Sequence, residues 1–122
     1  LAVEYAQQRQ QFGAPIGSFQ AVKHHLANAK LAVAFAWPTV LEAAAAFDHG
    51  RPTWQRSASA AKVLTSQAAQ RVSELTLQTH GAIGYTVEYD LHLYLKRAWA
   101  LSRSWGTTAD HLEHVAAAVL DA

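Results

Sequence analysis

The sequence predicts an all-α fold, an antiparallel four-helix bundle. Apolar residues recur at steps of three and four over two long stretches, no segment alternates with period two, and the breaks are short and rich in glycine. Two long and two shorter helices joined by brief loops favour antiparallel neighbours.

Phe19, Val22, Leu26, Ala29, Val33, Ala36, Val40, Ala44 and Phe47 define the first long helix, over residues 18–49. Ser18 is its expected N-cap and Gly50 its stop. Pro38 lies inside, where a missing amide donor and a clash with the preceding turn predict a bend rather than a boundary. Pro52 suits a helical first turn, and Trp54, Ala58, Ala61, Leu64, Ala68, Val72, Leu75 and Thr79 carry the rhythm through a second helix over 52–80. Gly81 and Gly84, either side of Ala82-Ile83, end it. Leu91, Tyr94, Ala98, Leu101 and Trp105 mark a third helix. Leu112, Val115, Ala116 and Val119 mark a fourth, beginning near Thr107. Residues 1–12 read as the tail of a helix begun upstream, so residues 1–122 are expected to form one domain of a larger chain.

With 122 residues, 51% of them hydrophobic, the chain can bury one core. Ten basic against nine acidic residues call for no polyanionic partner such as nucleic acid. The absence of cysteine excludes disulfides, thiolate ligands and cysteine nucleophiles; a cytoplasmic location is expected. The apolar stretches at 31–37 and 42–47 are too short for a membrane span, and none is expected.

Arg9-Gln10-Gln11-Phe12-Gly13 sets a guanidinium at a helix end beside an aromatic ring and a chain-reversing glycine, which suits a phosphate-bearing ligand. The same arginine also suits the helix dipole alone. Gln78-Thr79-His80-Gly81-Ala82-Ile83-Gly84-Tyr85 could offer amide and backbone donors to a bound ring or phosphate, or be a glycine cap and turn. Thr107, after Gly106, suits an N-cap. His111 and His114 could share a metal across one helical turn, but no third ligand with telling spacing accompanies them, and no metal is expected. His24 and His25 point in different directions on a helix. There is no nucleophile elbow, Walker pattern or Rossmann glycine run.

Taken in order, RxxFG at 9–13, Gln20, the lysine of SAAK at 59–62, QxxGxxGYxxEY from Gln78, Lys96-Arg97 and a final Gly106-Thr107 resemble the acyl-CoA dehydrogenase C-terminal domain over nearly the whole chain. The resemblance implies a flavoenzyme that removes an α-proton from an acyl-CoA while the β-hydrogen leaves as hydride to FAD, giving a 2-enoyl-CoA. It implies that Arg9 meets the FAD pyrophosphate and that Phe12 and Gln20 contact the adenosine side, all in a neighbouring subunit. Gln78 and the Gly81-Ala82 backbone are implied to hold the neighbour's FAD too, with Thr107 near the flavin of the chain's own site. An acyl-CoA substrate, an electron-accepting flavoprotein and a homo- or hetero-tetramer follow from the same resemblance.

Two positions depart from the pattern. Ala82 replaces the second glycine of the usual pair, and Ala109 a glutamine that commonly follows Gly-Thr. A third concerns catalysis: many relatives carry the base as glutamate directly before Gly-Thr, and here Trp105 fills that place. Indole accepts no proton near neutral pH. Three alternatives stand: a glutamate on the helix preceding Leu1, a supporting subunit lacking its base within a mixed oligomer, or a non-catalytic assembly module.

Overall fold

The computed structural model describes residues 1–120; the last two residues of the expected domain lie outside the described residues. Helix α1 spans Ala2–Gln8, α2 Gln20–Asp48, α3 Trp54–His80, α4 Leu91–Arg103 and α5 Thr108–Leu120. Short 3-10 turns cover Ile16–Ser18 and Gly81–Tyr85. The all-α expectation holds, with one exception near the start.

Residues 1–12 are not all helix. Arg9 turns extended after α1, and Gln10–Gln11 (β1) pairs antiparallel with Ala14–Pro15 (β2). Phe12 and Gly13, between them, both take positive φ, at 53° and 79°. Two left-handed residues in a two-residue loop are what a tight hairpin needs, and Gly13 adopts that state freely. The alternation is too short to show as a period in the sequence.

Ser18 does not cap α2. Its hydroxyl donates to the Pro15 carbonyl at 2.7 Å, closing the 3-10 turn, and α2 starts at Gln20 without a side-chain cap. The helix runs through Pro38 as one element and stops as expected at Gly50. The Gly50 amide bonds the Phe47 carbonyl and the Arg51 amide the Ala46 carbonyl, a Schellman stop.

The buried face of α2 also differs from the expected one. Ala36 is buried and Ala29 partly covered as expected, but Val33 and Phe47 are more than half exposed and Ala44 is exposed, while Ala46 is buried and Ala32 and Ala43 are partly covered. The expected stripe stepped by four at Ala29 and again at Val40, and the 3.6-residue repeat steps by three there. An alanine line therefore faces α3, where Ala32 and Ala36 stand beside Leu64 and Ala68. The buried serines of α3 lie on its other side, Ser59 toward α5 and Ser66 toward α4.

Helix α3 is the hub: α2, α4 and α5 each pack along it. It begins at Trp54, with Pro52 in the preceding turn rather than inside the helix. On α4, Leu91 and Leu95 are buried. Large apolar residues outside this core are exposed, among them Phe35, Trp37 and Leu41 on α2. By length and composition α2 could cross a membrane. The shorter apolar stretches at 31–37 and 42–47 do not reach that length, because polar residues and Pro38 interrupt them.

Candidate functional site

The chemistry-bearing residues gather in two regions. At the first, the end of α1 and the end of α3 are joined by an aromatic cluster. The rings of Tyr5 and His80 stack at 4.5 Å, and Tyr89 closes on them at 6.0 and 5.0 Å. This cluster brings the hairpin segment after Tyr5 and the glycine segment after His80 to one end of the molecule.

His80 is 3% exposed. Its Nδ1 lies 2.7 Å from the Thr76 carbonyl, which only accepts, so Nδ1 carries the proton and donates. The buried Nε2 is then a lone-pair acceptor with no partner. The sequence placed His80 and Tyr89 inside the motif from Gln78 without showing that they stack, and it did not single out Tyr5; the clue was an aromatic residue in or beside each motif.

The expected ligand contacts at this end point outward. Phe12, at the hairpin tip, is 93% exposed and meets only the edge of Phe19, at 6.2 Å. Arg9, Gln20, Gln78, Gly81 and Ala82 are all exposed, and none of the ion pairs among the described residues involves Arg9. Gly81 takes φ +63°, and a Cβ there would meet open space, so the strain of the turn, not crowding, calls for glycine. At Gly84 crowding decides: a Cβ would lie 3.0 Å from Leu77 and 3.1 Å from His80.

The second region is the loop between α4 and α5. The expected third helix reached Trp105, but α4 stops at Arg103, where Ser104 turns extended. Lys62 Nζ donates to the Leu101 carbonyl at 2.6 Å and the Ser104 hydroxyl to the Ala100 carbonyl at 2.9 Å, satisfying the last turn. That is the structural role of the SAAK lysine. Trp105 follows in the left-handed region at φ 58° and is 83% exposed, and Gly106 has φ 102°. Trp105 lines a cavity of about 490 Å³ with Lys62, Tyr94, Arg97 and Leu101.

Thr107 is the N-cap of α5. Its hydroxyl accepts from the Asp110 amide at 3.3 Å, while its own amide and hydroxyl donate to Asp110 Oδ2 at 2.7 and 2.9 Å. The Thr107 amide first, and its hydroxyl second, hold the Asp110 carboxyl below its ordinary range. The hydroxyl proton of Thr107 is thus already engaged. His111 has both ring nitrogens occupied, at 3.1 Å from Ser59 Oγ and 2.9 Å from the Trp105 carbonyl. Its ring meets His114 edge-on at 5.7 Å, with no lone pair to spare for a metal.

Comparison with known proteins assigns this arrangement. Residues 1–120 match the family "Acyl-CoA dehydrogenase, C-terminal domain". The chain is 44% identical to acyl-CoA dehydrogenase IpdE2 of Mycobacterium tuberculosis over 98 residues, 80% of this chain and 29% of that protein. It superposes on butyryl-CoA dehydrogenase from Megasphaera elsdenii with a TM-score of 0.92 at 34% identity, covering 98% of this chain and 31% of that one. Against the ChsE4-ChsE5 complex from Mycobacterium tuberculosis the TM-score is 0.91 at 26% identity, covering 99% and 33%. The chain therefore spans about a third of the length of these proteins. It belongs to the acyl-CoA dehydrogenase family, and its five helices are the C-terminal domain of that family.

Proposed function

We propose that the chain serves as the C-terminal domain of an FAD-dependent enzyme that dehydrogenates an acyl-CoA between its α and β carbons. The observation that carries this reading is the Tyr5-His80-Tyr89 cluster, which presents both ligand motifs outward at one end. The donor set there suits FAD: an exposed guanidinium at Arg9, in no ion pair among the described residues, for the pyrophosphate, an exposed ring at Phe12 with the amide of Gln20 for the adenosine, and the Gln78 amide with an open Gly81-Ala82 backbone beside them. Bound there, FAD supplies the hydride acceptor. These residues grip the cofactor of a neighbouring subunit, and Thr107 lies toward the flavin of the chain's own site. Their outward orientation supports a site completed by another chain.

The exposed apolar faces of α2 fit such an assembly, a homo- or hetero-tetramer. We place the enzyme in the cytoplasm, with an electron-accepting flavoprotein reoxidising it. Trp105 cannot act as base, so the proton acceptor is a glutamate on a preceding helix. A second reading is favoured by Trp105 itself: a base-lacking subunit that supports a catalytic partner, as the likeness to a two-protein complex also suggests.

The test uses the full-length chain purified with any co-encoded homologue. The expected result is a yellow flavin spectrum that bleaches on adding an acyl-CoA, with less flavin retained by Arg9→Ala. A colourless preparation that ignores acyl-CoA removes the enzyme reading. Activity seen only with the second homologue present selects the supporting role.

A further inference from the structure

We propose that His111 is a positioning residue: it holds the backbone of Trp105 and so sets the shape of the loop at the base position. The inference rests on the reading above that this loop faces the reacting end of the site. A left-handed backbone is uncommon for a bulky aromatic residue and strains it. Trp105 takes that conformation and directs its carbonyl at His111 Nε2, 2.9 Å away. Because a carbonyl only accepts, Nε2 carries the ring proton and donates it. Nδ1 is then the acceptor, filled by the Ser59 hydroxyl of α3 at 3.1 Å. Ser59 is buried, so its hydroxyl is confined near the ring and donates to the nitrogen that the Trp105 carbonyl leaves unprotonated.

One side chain on α5 thereby ties α3 to the loop. The fit is close. A Cβ on Gly106 would stand 3.0 Å from His111 Nε2 and 3.3 Å from its Cδ2, so glycine is needed both for its φ of +102° and for the room it leaves the ring. The Thr107-Asp110 box secures the next residue separately. His111 thus acts on Trp105 in particular, and Trp105 is a wall of the cavity between α3 and α4.

The experiment compares His111→Leu and His111→Gln in the full-length protein with any co-encoded homologue. Leucine fills space without donating, whereas glutamine can return an N–H to the Trp105 carbonyl. Two readouts are taken: hydrogen exchange of the 104–108 segment, and the flavin absorption and fluorescence of the assembly. For His111→Leu the loop is expected to exchange up to about tenfold faster, the loss of one hydrogen bond, with α2 and α3 unchanged. His111→Gln is expected to restore slow exchange. Wild-type exchange in His111→Leu, a uniform rise over all helices, or no rescue by glutamine overturns the proposal. A loosened, rescuable loop with an unaltered flavin spectrum upholds the positioning role and counts instead against the flavin-facing reading.

Discussion

The α1–α3 end and the α4–α5 loop are built on opposite plans. At the α1–α3 end the anchor is inside, in the Tyr5-His80-Tyr89 stack, and the polar groups of Arg9 and Gln78 are left for something else to use. At the α4–α5 loop the polar groups are consumed internally: Lys62 by Leu101, Asp110 by Thr107, His111 by Ser59 and Trp105. The indole of Trp105 stands 83% exposed between them. The difference separates two kinds of site: one that awaits a ligand with its donors free, and one whose backbone is held in a set pose while its outward side chain carries no proton-transfer chemistry.

Breaking the anchor of the first region should have the largest effect. Tyr5→Ala removes the ring stacked on His80 and opens a hole beside a buried imidazole. A loss of about 2–4 kcal/mol is expected, toward the lower part of the range for aromatic truncation because Tyr5 is only half-buried. Denaturant unfolding of the full-length protein measures it, and an unchanged midpoint would show that the cluster does not join the two motifs. In the second region, Gly106→Ala forces a side chain into the left-handed backbone and against His111, for about 1–3 kcal/mol. Thermal melting should register it, and His111→Leu in the same chain should recover part of the loss if the contact with the ring is the cause.

The smallest effect sharpens the comparison by pH. The folded-state pKa of Asp110 is depressed, so its stabilisation of the α5 start is present above the unfolded value of 3.8 and fades as pH falls through the lower folded value. Asp110→Asn keeps an acceptor but no charge. Hydrogen exchange at residues 107–111 is expected to rise in acid for the wild type and to stay flat for the variant, with the α1–α3 end indifferent to the substitution. Identical acid profiles would remove the charge from the account.

Much of the fold was legible because long helices bury one face, and a face repeats. The stop at Gly50 and the N-cap at Thr107 were legible because each depends on residues within one turn. The hairpin was not, since two residues per strand give no period, and its turn uses Phe12 where glycine or asparagine is usual. The buried stripe of α2 was misjudged at Val33, Ala44 and Phe47, though not at Ala36, because alanine and valine weigh alike in a count of apolar residues. Only the approach of α3 shows that alanine is the one in contact.

The sequence by itself determined the helical class, the order of the ligand motifs and the absence of a carboxylate at Trp105, because these reside in local chemistry and spacing. The tertiary structure alone decided that Arg9 and Gln78, 69 positions apart, share one end, and that His111 holds Trp105 across a link to Ser59, 52 positions away. Such pairings depend on how α1, α3 and α5 pack, and packing is set by the shape of whole faces rather than by any short run of residues.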